Sequence, residues 1–149
     1  MKRKKYTKEM CMRACIKIAK RNGSFESVRV INLKKELKSS AQPIYSHFTN
    51  FRTLKYQSSE LFVRETLQDV LNENNLMNIS FLNKDLIKQY SNHQDIQFIV
   101  FDNTCKSIFV KNYLLNGLEF DKAKLNDETI KLINFFGELI IEIQKNTKV

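Results

Sequence analysis

Between Thr7 and Arg21 the apolar residues Met10, Cys11, Ala14, Cys15 and Ile18 recur three or four positions apart, the period that lines one stripe of an α-helix. Thr7 offers an N-cap, and Asn22-Gly23 a stop, since both tolerate the left-handed conformation that closes a helix. A second short helix is predicted from a cap at Ser27 to about Leu37, with Val30, Leu33 and Leu37 on its apolar side. Lys34, Lys35 and Lys38 fall elsewhere on it, toward solvent or phosphate. A third helix of about two turns begins at a Ser40 cap. Its third residue is Pro43, tolerated because first-turn amides have no intrahelical acceptor. Ile44 and Phe48 stand one turn apart and dock this helix on the first two, which leaves Ala41, Gln42, Tyr45 and Ser46 outward. Asn50 caps a longer helix from Phe51 that carries Leu54, Leu61, Phe62, Leu67, Val70 and Leu71.

Beyond residue 72 the pattern is still helical. NENNLMNIS reads as a connector, Asn83 to Tyr90 as a short helix and Asp95 to Leu115 as a long one. A second connector, NGLEFDKAKLN, leads to a final long helix from Asp127 to Lys145. Both long helices are apolar around more than one face, through Ile96, Phe98, Ile99, Val100, Phe101, Ile108, Phe109, Val110 and Tyr113 in one and Ile130, Ile133, Phe135, Phe136, Leu139, Ile140, Ile141 and Ile143 in the other. One apolar face satisfies a monomer's core. The surplus suggests a second copy, packed as a four-helix bundle across a two-fold axis.

The predicted fold class is therefore all-α: an N-terminal three-helix helix-turn-helix domain over residues 1–56, and a small helical dimerisation or ligand domain over 57–149. Composition supports this, because three Gly and one Pro are too few for the many tight turns of a β-sandwich or barrel. Charge then distinguishes the two halves. Residues 1–56 hold 15 Lys and Arg against three Asp and Glu, a net +12, whereas residues 57–149 hold ten against 13, a net −3. A cationic head of this kind attracts a polyanion and speeds its association.

Cys11, Cys15 and Cys105 are odd in number, and the first two sit a turn apart among apolar neighbours, as small core hydrophobes do in a reducing compartment. No Cys or His lies within thirty residues of that pair, so no metal site is expected. The basic start MKRKKYTKEM runs into no signal-type apolar segment, and no stretch approaches the roughly 18 uncharged apolar residues of a membrane span. A cytoplasmic protein with no membrane partner and no cofactor is expected. Catalysis is disfavoured too: His47 and His93 are the only histidines, neither joins a nucleophile motif, and no Gly-rich phosphate loop exists.

Two short helices joined by about four residues, the second small and polar-faced, match a helix-turn-helix unit whose second helix lies in the major groove. The run IYSHFTNFRTL from Ile44 to Leu54 resembles the TetR family of transcriptional regulators, with an aliphatic residue, Tyr, any residue, His, Phe, a short polar turn and Leu. Leu33, Leu37 and Ser40 fall at matching spacing, and the likeness covers roughly residues 7 to 62. It implies a homodimer, joined through its C-terminal helices, that binds double-stranded DNA at a palindromic operator, most simply as a repressor. In that scheme Ala41, Gln42 and Ser46 face base edges, Tyr45 and His47 contact the sugar-phosphate backbone, and Ser40 offers backbone amides to a phosphate. Gln42 is the candidate for direct readout, since an amide pairs with adenine in the major groove.

The chain departs from the family at Lys38, where Gly is usual, at Ser39, where Val normally packs, at Lys34, where a small residue is expected, and at Phe51, where Lys commonly reaches phosphate. Arg52, Lys55 and the tail residues Lys2, Arg3, Lys4 and Lys5 stand ready to replace that anchor, the tail through the minor groove. Two alternatives stay open. Tyr45 and His47 are also explained by helix-end packing, with the histidine on a backbone carbonyl, and the whole chain by a TetR-like dimerising co-regulator with weak or lost direct DNA reading. Phe98, Phe101, Phe109, Phe135 and Phe136 form either plain core or a cavity for a small hydrophobic effector.

Overall fold

The computed structural model describes residues 6–74, 90–111 and 137–145, and these are all-α, with no strand among the described residues. The helices are α1 (Lys8–Asn22), α2 (Val30–Leu37), α3 (Gln42–His47), α4 (Phe51–Asn74), α5 (Gln94–Phe101) and α6 (Asn103–Phe109), followed by a helical segment at 137–145. The chain divides into two compact units, Met1–Phe62 and Val63–Val149, with the division inside α4.

In the first unit, local chemistry sets the helix ends. Thr7 caps α1 by accepting from the Met10 amide at 3.1 Å, and Gly23 closes it at φ 93°. The expected cap at Ser27 is not used. Its hydroxyl instead donates to the Ser24 carbonyl at 2.8 Å in the loop, and α2 starts three residues later. There Asn32 Oδ1 reaches back to the Arg29 amide at 2.9 Å, so the reciprocal half of a capping box fixes the start.

The end of α2 is a Schellman closure. The Ser39 amide bonds the Lys34 carbonyl at 3.0 Å, and the Lys38 amide the Lys35 carbonyl at 3.3 Å. Lys38 therefore takes the left-handed conformation, at φ 53° and ψ 51°, the one described non-glycine residue with positive φ. Ser40 Oγ then accepts from the Gln42 amide at 3.2 Å, and Pro43 occupies the second helical position of α3, one earlier than the sequence suggests. Asn50 caps α4 through the Thr53 amide at 2.8 Å.

Cys11, Cys15, Ile18 and Ala19 of α1, Leu33 and Leu37 of α2, Ile44 of α3, Leu54 of α4 and the loop residues Phe25 and Val28 are all buried, and α1 packs against both α2 and α3. Ile44 is fully buried and Phe48 nearly so, the pair that docks α3. Removing Ile44 from water alone is worth roughly 2 to 3 kcal/mol, which holds a six-residue helix that could not persist in isolation. Ser58 and Ser59, buried in α4, are satisfied by the carbonyls of Leu54 and Lys55 at 2.7 and 2.8 Å.

The second unit corrects the long helix expected from Asp95. It is two helices: Asp102 leaves helical geometry at ψ 122°, and its carboxylate accepts from the Cys105 amide at 3.0 Å to begin α6. The connector expected from Asn72 starts late, because α4 runs on through Asn74. The short helix expected at Asn83 to Tyr90, apart from its last residue, and the connector after Leu115 lie outside the described residues, as does the first part of the final helix before residue 137. Ile96, Ile99, Val100, Cys105, Ile108, Phe109, Leu139 and Ile143 are buried. No described helix is long and apolar enough to cross a membrane.

Candidate nucleic-acid interface

The turn from Lys38 to Ala41 joins α2 to α3 in four residues, and the surface on either side of it is polar and cationic. A groove of about 490 Å³ opens there, lined by Tyr6, Lys38, Ser39, Ser40, Gln42, Pro43 and Ser46. It brings together Ser40, Gln42 and Ser46 of the expected contact residues. Gln42 is exposed, and its side-chain amide has no hydrogen-bond partner among the described residues. Tyr45 is 55% exposed, also with no partner for its hydroxyl among them. Ala41 is half-buried at the N-cap, and Ser46 turns its hydroxyl onto the Pro43 carbonyl at 3.0 Å.

Among the described residues, ion pairing engages cations of α1 rather than those near the turn. Glu36, on α2, pairs with Lys17 at 2.7 Å and Arg21 at 3.4 Å, both on α1, and Glu9 pairs with Arg13 within α1. The Lys17 hydrogen bond and the two positive charges hold the Glu36 carboxyl below its ordinary range. Lys34, Lys35 and Lys38 have no acidic partner among the described residues. Among the described residues, the positive charge where α2 meets α3 is therefore not ion-paired.

No protein-family model, curated protein or solved structure matches the chain. The character of the site rests on its own geometry.

His47 and Lys55 are engaged by the protein itself. His47 Nε2 donates to the Tyr6 carbonyl at 2.6 Å, the arrangement of the helix-end alternative, although the ring remains exposed. Lys55 is half-buried; its ammonium lies 5.3 Å from the Phe51 ring centre and donates to the Glu26 carbonyl at 3.4 Å. Neither residue lines the groove beside the turn.

Tyr6 is the site residue that sequence reasoning missed. Its hydroxyl donates to the Leu37 carbonyl at 2.6 Å, satisfying one of the acceptors that a helix C-terminus leaves open, while its own carbonyl takes His47. Nearby, the Lys8 ammonium stands 5.4 Å from the Phe48 ring centre, so the start of α1 also lies against the end of α3. The only advance signal was an aromatic residue set among four cations just before a helix cap.

No cluster of three His, Cys, Asp or Glu able to hold a metal occurs among the described residues. The three cysteines are free and buried. Burial pushes Cys15 up to about 11, and raises Cys11 and Cys105 as well. Such thiols are poor nucleophiles.

Proposed function

We propose that this chain is a sequence-specific, double-stranded-DNA-binding transcriptional regulator of the TetR type, acting as a homodimeric repressor on a palindromic operator. One observation carries the proposal: a helix-turn-helix whose second helix is docked by buried Ile44 and Phe48 and presents Gln42 and Tyr45 outward, beside Lys34, Lys35 and Lys38 with no acidic partner among the described residues. α3 enters the major groove, Gln42 reads base edges, and the lysines release counterions from the flanking phosphates. The second unit supplies dimerisation. Phe101 and Ile141 are 53% and 58% exposed there, and a second copy would cover them. A small hydrophobic effector bound in that unit would release DNA by favouring one of two dimer states.

A second reading, a dimerising co-regulator with weakened DNA contact, draws on His47 and Lys55, which are turned to carbonyls of the protein itself. Titrating the binding of duplex DNA against salt separates the two. The DNA-reading protein shows log K falling steeply with log salt, with a slope of magnitude about 4 or more for a dimer contacting several phosphates. Absence of any salt-dependent duplex binding would rule it out in favour of the co-regulator.

A further inference from the structure

Two long-range hydrogen bonds meet at Tyr6. Its hydroxyl donates to the carbonyl of Leu37, the last residue of α2, and its own carbonyl accepts from Nε2 of His47, the last residue of α3, each at 2.6 Å. Tyr6 also adjoins Thr7, the cap of α1, so one residue joins the ends of three helices. On α3 the bond falls away from the apolar anchors. Ile44 and Phe48 are buried one turn apart, whereas His47 is exposed on a different side of the helix. Two anchors along one line leave a six-residue helix, which has no stability of its own, free to rock about that line. A third point off the line removes that freedom.

We infer that Tyr6 and His47 are positioning residues for the reading helix: together they hold α3 against the end of α2, so that Gln42 meets base edges in a fixed place. The inference rests on the DNA-binding reading above and gives His47 a role through Tyr6 rather than at a phosphate. The Tyr6 carbonyl accepts only from a protonated ring nitrogen, so this bond uses the Nε2 proton that a phosphate would otherwise accept. Tyr6 also lines the groove that holds Ser40, Gln42 and Ser46, which puts the brace beside the residues it steadies. The two kinds of DNA contact differ in tolerance. A hydrogen bond to a base edge weakens steeply with misalignment, whereas the attraction between a lysine and a phosphate falls off slowly with distance. Loosening α3 therefore lowers discrimination between sequences more than it lowers affinity for duplex DNA in general.

Fluorescence anisotropy with the full chain tests this on two labelled duplexes, one recovered by selection from random sequence and one a scrambled version of it. The readout is the ratio of the two Kd values. A variant that merely unfolds part of the protein, or loses a phosphate contact, weakens both duplexes alike and leaves the ratio unchanged. Tyr6→Phe, which keeps the ring and loses the hydroxyl, and His47→Ala are each expected to lower discrimination roughly fivefold or more, the least that one good base contact contributes. The salt slope on the scrambled duplex should not change. Because both bonds belong to one link between α2 and α3, the double variant should lose no more than the larger single loss. His47→Gln, whose amide can still donate to the Tyr6 carbonyl, should restore the wild-type ratio. An unchanged ratio in Tyr6→Phe or in His47→Ala would overturn the inference and leave DNA binding standing. Wild-type protein that binds neither duplex, or binds both equally, would instead remove the sequence-reading proposal, and this inference with it.

Discussion

Replacing Lys38 with Gly is expected to stabilise the protein, against the usual expectation for a lysine-to-glycine change. Lys38 sits at φ 53° and ψ 51° because the Ser39-to-Lys34 and Lys38-to-Lys35 bonds that close α2 require a left-handed residue there. An L-residue with a Cβ loses about 1 to 2 kcal/mol in that region, whereas glycine loses none. Glycine returns about 0.4 to 1 kcal/mol through its freer unfolded chain. The net gain is about 0.5 to 1 kcal/mol, or roughly 2 to 8 °C in Tm for a unit of this size. Urea unfolding of the full chain followed by far-ultraviolet circular dichroism measures it, with an unchanged m confirming that the denatured state is not altered. Lys38→Ala is the control, because it removes the same ammonium and keeps the Cβ. Lys38→Gly no more stable than Lys38→Ala would show that the lysine carries no backbone cost, and the account of this turn would fail.

Two other expectations follow from ionisable groups. Glu36 has its folded pKa lowered from an ordinary value of 4.5 by Lys17 and Arg21, so its contribution to stability is complete above that value and is lost as pH falls through the lower folded value. Wild type should be more stable than Glu36→Gln near pH 6, with the difference shrinking as pH falls below 4.5; a difference independent of pH would contradict the ion-pair assignment. The buried thiols should resist an aromatic disulfide reagent in the native protein, Cys15 by about a hundred-fold at pH 8 relative to an ordinary thiol from its raised pKa alone, and all three should react on unfolding. Stoichiometric labelling of the folded chain would refute their burial.

Much of the first unit was legible because its determinants are local. Thr7, Gly23 and Asn50 lie within three or four residues of the backbone groups they satisfy, and Ile44 and Phe48 are spaced by one turn. The all-α class followed from the same periodicity. Ser27 misled because a serine at a loop end can bond either to the coming helix or to the loop behind it. Here the loop won, through Ser24, and Asn32 started α2 instead. The break at Asp102 was obscured by apolar residues on both sides of it, Ile96 to Phe101 and Ile108 to Val110, although Asp102 bears the usual cap chemistry three residues before Cys105. The contacts of Tyr6 were not legible. Its partners Leu37 and His47 are dozens of residues distant, and no local pattern announces a contact made only when α1, α2 and α3 pack together.

The central claim is that α3 reads DNA as one half of a symmetric pair, and selection of bound sequences from random duplex DNA with the purified full chain tests it most directly. The account predicts recovery of a palindrome with half-sites about one helical turn, or a multiple of it, apart, and a changed preference at an adenine-bearing position with Gln42→Ala. Recovery of no preferred sequence, or a palindrome whose every position is indifferent to Gln42→Ala, would contradict it.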